Sequence, residues 1–137
     1  MPVRVELIQT GPTTTRAEVR GHALAVDRPP EKGGEDAGPM GGELLLAALG
    51  GCFASNLLAA IRGRDADVRD VRVAVEADPA DGPPRFAALR LHASAATDDG
   101  AAFAKLVTIA ERGCIVANTL AGGVPVHVTS EVRPAGA

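Results

Sequence analysis

The sequence predicts an α+β fold, in which helices and antiparallel strands occupy separate stretches of the chain. Several short segments alternate apolar with polar residues, as half-buried strands do. A long uncharged run, a segment with apolar residues at helical spacing and a short stretch closed by two glycines indicate helices. The predicted order is βββ-α-ββ-α-α-β, and the length of 137 residues fits one domain.

The N-terminal part of the chain predicts three strands separated by turn residues. They cover residues 3–8, 13–20 and 22–26, with Gly11-Pro12 and Gly21 as the breaks. Residues 29–42 (PPEKGGEDAGPMGG) are too charged and too rich in Gly and Pro for regular structure. Because this loop lies in mid-chain directly before an apolar run, we interpret it as a site-forming loop rather than a linker.

A helix, a hairpin, two helices and a strand are predicted to follow. The long helix is predicted over residues 43–62. The two strands of the hairpin cover residues 68–75 and 86–94, with a turn at 78–84 between them. The later helices cover 101–112 and 114–120, and the final strand covers 124–132. Asp98-Asp99 offers an N-cap to the second helix. Pro125 favours an edge position for the final strand, because proline cannot donate to a central ladder.

Composition and charge exclude several classes of function. Aromatic residues make up 2 % of the chain, which argues against base stacking on aromatic rings and against an aromatic cage for cations. The net charge is −3 and no basic patch is visible, which argues against nucleic acid and anionic membranes as partners. Three histidines on different strands lack the spacing of metal ligands, so we expect no metal and no cofactor.

The first residues, Met1-Pro2-Val3-Arg4, lack the apolar run of a secretory signal. We therefore expect a cytoplasmic protein. Two cysteines in a reducing compartment indicate working thiols rather than a structural disulfide.

An uncharged run of 18 residues, 44–61, meets the length rule for a membrane span. Its Ala- and Gly-rich middle, its polar Ser55 and Asn56, and the absence of aromatic belts argue against a span. A helix that is apolar all round can instead be buried in a core. A chain of this size has little core in which to bury it, so the run predicts that a partner subunit covers the helix.

Two cysteines could carry chemistry. Cys52 follows Gly50-Gly51 inside the long helix, where each glycine costs about 1 kcal/mol relative to Ala. Either another part of the chain packs closely there, or the missing side chains give a substrate access to the sulfur. Cys114 opens a short helix, whose N-terminal amides favour a thiolate. The two cysteines lie 62 positions apart, so they can act together only if the fold brings them close to each other. The alternative is that both are inert cysteines of the core.

Two sequence blocks resemble the OsmC/Ohr superfamily, the osmotically inducible protein C and organic hydroperoxide resistance proteins. The first block combines residues 33–39 (GGEDAGP) with 43–52 (ELLLAALGGC), and the second combines 110–114 (AERGC) with 118–120 (NTL). The segment 83–86 (PPRF) also fits. The resemblance covers nearly the whole chain and implies a single OsmC-like domain over residues 1–137. It further implies an intertwined homodimer with antiparallel sheets and a long buried central helix.

The resemblance implies a cysteine-based thiol peroxidase that reduces organic hydroperoxides in oxidative-stress defence. Cys52 would attack the peroxide, Cys114 would resolve the product as a disulfide, and a dithiol reductant would restore both thiols. The alternative is a non-catalytic OsmC-like protein that binds an apolar small molecule at the dimer interface.

This sequence departs from the family pattern around the reactive thiol, and resembles a less characterised branch. In the family, an Arg pairs with a Glu, and that Glu lies ten residues before the first cysteine. This chain has Gly42 at that position. Glu43, nine residues before Cys52, would point roughly opposite Cys52 on a straight helix and serve as a helix cap. Arg16 and Arg20 are the nearest basic residues to the expected arginine, and His22 could add polarity in a dimeric site. Ile115 replaces the proline that commonly follows the second cysteine.

Overall fold

A computed structural model describes residues 2–136 of the chain. Its strands are β1 (Glu6–Gln9), β2 (Thr15–Val19), β3 (His22–Val26), β4 (Arg69–Ala80) and β5 (Arg85–Ala96), and its helices are α1 (Gly41–Gly63), α2 (Gly100–Arg112) and α3 (Ile115–Gly122). These helices and antiparallel sheets confirm the predicted α+β class. The loop before α1 contains a short 3-10 turn, Pro30–Lys32, and otherwise lacks regular structure, as predicted.

The strands form two separate antiparallel sheets. The first has the order β1-β2-β3, and the second is the β4-β5 hairpin. Arg20 and Gly21 form the tight turn between β2 and β3 with φ of 50° and 83°, so that Val19 pairs with His22. The second hairpin is longer than predicted, because residues 78–80 continue β4 instead of starting the turn. A register shift between Asp78 and Pro79 accommodates the proline at the end of the ladder.

The hydrophobic core lies between the helices and one face of the second sheet. Helix α1 packs against α2, α3 and β4. Buried aliphatic and small side chains fill the space, with a single aromatic ring among the fully buried residues: Leu49, Phe53, Leu57, Ala60, Ile61, Val68, Leu106, Ala110 and Cys114. The core cluster contains no residue of β1, β2 or β3, so the first sheet contributes little to it.

Only one face of α1 is covered within the chain. The most apolar 18-residue window of this helix is 28 % buried, and its length and composition alone would allow it to cross a membrane. The core helix of a soluble protein passes the same test. The uncovered face carries mostly small side chains and one large one: Ala47, Ala48, Gly51, Ser55, Leu58 and Ala59. The chain by itself therefore does not bury the uncharged run.

The prediction of a final strand over 124–132 is wrong for this chain. Residues 124–136 contain no strand, and Val124, Val126, Val128 and Val132 are between 59 and 96 % exposed. The alternating valines have strand character, but a strand needs a neighbour to pair with its backbone groups. Within the part of the chain that the structure describes, no sheet extends to this segment.

A buried aspartate organises the loop that leads into α1. Asp27 is 3 % exposed, and its carboxylate accepts hydrogen bonds from the backbone N–H groups of Arg28, Glu35 and Ala37 and from the Thr14 hydroxyl, at 2.7–3.2 Å. Burial alone would raise the pKa of Asp27, but these hydrogen bonds outweigh it and hold the pKa well below its usual range. The loop is therefore fixed by one ionised side chain.

Candidate active site: a cysteine pair at the start of α3

The two cysteines meet where α1 contacts α3. Cys52 lies in the middle of α1 and is partly exposed, whereas Cys114 precedes α3 and is fully buried. Both are free thiols, and Cys114 is near enough to Cys52 to lower its pKa. Packing of α1 against α2 and α3 thus brings together two residues that lie 62 positions apart.

The first turn of α3 points its backbone N–H groups at both sulfurs. The Cys114 Sγ caps the helix by accepting a hydrogen bond from the Ala117 N–H at 3.4 Å. The pKa of Cys52 is lowered, and the Val116 N–H is the largest cause. Partial burial of Cys52 acts in the opposite direction. The Cys114 thiol and the Ile115 N–H lower the pKa further. Unpaired amides at a helix N-terminus are a ready-made site for negative charge. The short helix thus favours the Cys52 thiolate.

Cys114 behaves in the opposite way. Burial raises the pKa of its thiol, the Ala117 N–H partly offsets this, and the neighbouring Cys52 raises the pKa again. Cys52 therefore gives up its proton more readily than Cys114, and it is the thiol that solvent partly reaches. This division of roles is the one that a reactive thiol and a second, resolving thiol require.

Two asparagines, which the sequence analysis did not identify as site residues, hold this junction in place. The Asn56 side chain donates from Nδ2 to the Ala110 carbonyl at 3.2 Å, and the Asn118 side chain donates to the Arg112 carbonyl at 3.1 Å. Asn56 follows Cys52 by one helical turn and so lies on the same face of α1. The sequence signal that could have identified Asn56 as a site residue is its position, because it is a polar residue four positions after a cysteine in an uncharged run.

The two glycines before Cys52 have different surroundings. A Cβ at Gly50 would lie 3.1 Å from Val75 Cγ2, so Gly50 allows β4 to pack closely on α1. A Cβ at Gly51 would meet nothing within 4 Å, and this residue is exposed. Close packing, one of the two explanations that the sequence offered, therefore applies to Gly50, whereas the space beside Gly51 is open in the single chain.

The predicted activating residues lie elsewhere in this chain. The Glu43 carboxylate accepts a hydrogen bond from the Met40 N–H at 2.9 Å and thereby caps α1, and Arg16 pairs with Glu18 at 2.7 Å. Arg20 and His22 border a surface depression that contains neither cysteine. Among residues 2–136, no charged side chain contributes to the lowered pKa of Cys52.

An apolar cavity of about 570 Å³ lies beside the cysteine pair, between α1, β5, α2 and α3. Neither sulfur lines it directly. Its wall includes Phe53, the residue after Cys52 in the sequence, and Ala117, whose N–H donates to Cys114 Sγ. The remaining lining is also apolar apart from Glu111: Leu49, Phe86, Ala87, Ala88, Leu89, Leu91, Val107, Leu120 and Ala121. The cavity could hold the organic part of a small molecule.

The described part of the chain, residues 2–136, contains no group of three or more His, Cys, Asp or Glu side chains that could hold a metal ion.

Comparisons with known proteins give a consistent family and fold. A family model described as OsmC-like protein matches residues 33–129, which is more than half of the chain. No curated protein matches the sequence. An OsmC-like protein from Mycoplasma pneumoniae has a similar structure, with a TM-score of 0.75, 16 % identity and coverage of 89 % of each chain.

Two structures named as organic hydroperoxide resistance proteins are also similar. The one from Elizabethkingia anophelis, which holds a crystallant-derived thiocyanate, has a TM-score of 0.67 at 20 % identity and covers 89 % of this chain and 91 % of its own. The one from Legionella pneumophila has a TM-score of 0.63 at 22 % identity and covers 87 % and 90 %. At these identities, the likeness establishes the fold.

Proposed function

Because the chain belongs to the OsmC-like family, we propose that it is a cysteine-based thiol peroxidase that reduces organic hydroperoxides in oxidative-stress defence. The observation that carries this proposal is the cysteine pair at the start of α3, where the pKa of a partly exposed Cys52 is lowered and the pKa of a buried Cys114 is raised. The similar folds of organic hydroperoxide resistance proteins support it.

The proposed reaction balances with one hydroperoxide and one dithiol per cycle. The Cys52 thiolate attacks the outer peroxide oxygen, the O–O bond breaks, and the alkoxide leaves and takes up a proton as an alcohol. Cys52 is then a sulfenic acid. The Cys114 sulfur displaces its hydroxyl as water and forms a disulfide, which a dithiol reductant returns to two thiols while it is itself oxidised.

The geometry of α3 supports each step. Its amides stabilise the attacking thiolate, and they remain in place to donate to the oxygen of the sulfenic acid. Cys114 is near enough to Cys52 to lower its pKa, which makes it the thiol placed to carry out the second step. The apolar cavity supplies a wall for the organic group of the hydroperoxide.

We propose that the working form is an intertwined homodimer. Three apolar surfaces are uncovered in the single chain: one face of α1, the sheet β1-β2-β3 and the segment 124–136. A second copy would bury the two α1 helices against each other and would give the C-terminal valines a sheet to pair with. Arg16, Arg20 and His22 lie on the first sheet and its turn, so we propose that they act at a site completed by the second subunit. Glu43 acts as a cap of α1.

We place the protein in the cytoplasm, because a cycle that depends on a dithiol reductant needs a reducing compartment.

Titration of free thiols after one equivalent of cumene hydroperoxide tests the peroxidase. We expect the wild type to lose two thiols and to form a Cys52–Cys114 disulfide, seen by peptide mass mapping. Cys114→Ser, the matched control, should lose one thiol and stop at a sulfenic acid that dimedone traps. Survival of both thiols in the wild type, or equal peroxide consumption by Cys52→Ser, would overturn the proposal.

A second candidate is a non-catalytic protein that binds an apolar small molecule. The cavity favours it, because its lining contains neither sulfur. Native mass spectrometry of protein purified from cells distinguishes the two functions. A co-purifying ligand with unreactive thiols would indicate a binding protein, whereas an empty protein with reactive thiols would indicate the peroxidase.

A further inference from the structure

Helix α3 is held to the rest of the chain by few contacts, and two of them lie at its start. None of its eight residues, Ile115–Gly122, is buried. The Ala117 N–H donates to the Cys114 Sγ at 3.4 Å, and the Asn118 side chain donates to the Arg112 carbonyl at 3.1 Å. Because an isolated helix of this length is marginal in water, α3 depends on these contacts and on its packing against α1.

The start of α3 also covers one of the two sulfurs. Cys114 is fully buried, whereas Cys52 is partly exposed. Val116 and Ala117, in the first turn of α3, pack against the core cluster that contains Cys114. A thiol in solution therefore has access to the sulfur of Cys52 while the sulfur of Cys114 is shielded.

A disulfide between the two cysteines would remove the acceptors at the start of α3. A sulfur bonded to another sulfur must face it, so the Cys114 Sγ would turn toward Cys52 and no longer be free to follow the Ala117 N–H. The joined sulfurs carry no negative charge, so the Ile115 and Val116 N–H groups would lose the thiolate that they favour. Such coupling is reciprocal, because amides that stabilise a thiolate are themselves stabilised by it. Oxidation would therefore weaken the start of α3.

We propose that α3 is a redox-sensitive lid over the Cys114 sulfur, held closed while both cysteines are thiols and loosened once they form a disulfide. This inference rests on the proposed function, in which the pair gives up two electrons and two protons to the hydroperoxide. Opening of α3 lets a thiolate of the dithiol reductant attack the Cys114 sulfur, so that the S–S bond breaks and Cys52 leaves. The second thiol of the reductant then displaces Cys114, and the reductant departs as a disulfide. Cys52 is the better leaving group of the two, because a thiol of lower pKa leaves faster.

Hydrogen–deuterium exchange followed by mass spectrometry tests the lid without any hydroperoxide. Diamide oxidises the pair in the full chain by taking up its two electrons and two protons, and peptide mass mapping confirms the disulfide. We expect the amides of residues 115–122 to exchange at least about tenfold faster in the oxidised than in the reduced protein, because hydrogen bonds are lost there. Residues 85–96, which form β5, are the internal control and should not change.

Two substitutions of Cys114 separate loss of the cap from the other effects of oxidation. Cys114→Ser keeps an acceptor for the Ala117 N–H but cannot form the disulfide, so exchange in α3 should be slow with and without diamide. Cys114→Ala has no acceptor, so α3 should exchange faster than in Cys114→Ser even without diamide. Equal exchange in these two variants would overturn the role of the Cys114 sulfur in holding the lid.

Trapping of a mixed disulfide identifies the sulfur that the loosened lid exposes. Oxidised protein is mixed briefly with 2-mercaptoethanol and quenched with excess iodoacetamide before peptide mass mapping. We expect 2-mercaptoethanol on Cys114 and the carbamidomethyl group on Cys52. The reverse pattern would show that the reductant attacks the sulfur that was already accessible, and would overturn the lid.

The use of diamide makes failure of the lid distinguishable from failure of the peroxidase. Faster exchange in α3 after diamide, in a protein that consumes no hydroperoxide, would support the lid and overturn the peroxidase. Unchanged exchange in α3 with the disulfide present would overturn the lid alone. Absence of the disulfide after diamide would also overturn the lid, since the lid opens only when the two sulfurs join.

Discussion

Cys52 and Cys114 are chemically different because of the backbone around them rather than because of charged neighbours. The amides of the first turn of α3 lower the pKa of Cys52, while burial raises the pKa of Cys114. The family pattern predicts an Arg and a Glu beside the reactive thiol, yet in this chain Arg16 pairs with Glu18 and Glu43 caps a helix. Helix-terminal amides thus provide an activation that needs no ionisable partner.

Ile115 contributes to this activation through its backbone. Proline, the residue that commonly follows the second cysteine, lacks the N–H that Ile115 directs at Cys52. The isoleucine side chain itself is 75 % exposed, so its removal changes little packing.

Ile115→Pro should therefore raise the pKa of Cys52. Proline fits the first helical position, and Cys114 already has the extended conformation that a residue before proline prefers. Since a higher pKa leaves less thiolate at neutral pH, we expect the rate of Cys52 alkylation to fall by up to about twofold. The measurement is the pH dependence of iodoacetamide alkylation, followed by peptide mass mapping. Ile115→Ala retains the N–H and should match the wild type; an equal change in both variants would contradict the role of the amide.

At the scale of elements, α3 and the loop before α1 are short segments that depend on a few polar contacts. Helix α3 has no buried residue of its own besides its cap, Cys114, and Asn118 ties its first turn to the end of α2. The loop depends on Asp27, whose carboxylate gathers three backbone N–H groups. In both segments, polar contacts replace the apolar packing that stabilises longer elements.

Asp27 should make the stability of the protein sensitive to acid. Its folded-state pKa lies below the ordinary value, so the ionised group stabilises the fold above about pH 4, and this contribution is lost as the pH falls through the folded-state pKa. We expect the midpoint of urea unfolding to fall between pH 7 and pH 3 in the wild type and to change less in Asp27→Asn. Asp36→Asn, an exposed neighbour in the same loop, is the control and should follow the wild type.

At the scale of the whole molecule, the chain leaves more apolar surface uncovered than a soluble monomer does. Large apolar side chains are exposed on the first sheet, on α1 and in the C-terminal segment, including Leu7, Leu24, Leu58, Val126 and Val128. Patches of this kind mark interaction sites. The first sheet also has few contacts with the core of its own chain. A second subunit is therefore part of the proposed functional form.

Leu58→Glu should dissociate the homodimer. Leu58 is 53 % exposed in the single chain and lies on the uncovered face of α1, so the dimer would bury an unpaired charge there. By sedimentation equilibrium we expect twice the 13.9 kDa chain mass for the wild type and a dissociation constant at least about 30-fold higher for the variant. Lys105→Glu, on the exposed side of α2, should remain dimeric. A monomeric wild type at micromolar concentration would contradict the proposed assembly.

Local patterns in the sequence were sufficient to predict most of the fold. The break at Gly21, the Asp99 cap and the glycine after residue 112 predicted β3 and α2 closely, because each depends on neighbours a few positions away. Residues 124–132 were predicted wrongly, because their valines alternate as in a strand but no strand within residues 2–136 pairs with them.

By itself, the sequence determined the α+β class, the long apolar helix and the two cysteines as the residues able to carry chemistry. Only the tertiary structure decided that these cysteines meet, that α3 directs its amides at them, and that Asn56 and Asn118 hold the junction. It also decided that Arg16, Arg20 and His22 lie outside the core cluster that contains Cys114. The physical reason is range: helix and strand preferences depend on residues within a turn or two, whereas the pKa of a thiol depends on whichever amides the packing of distant segments places against it.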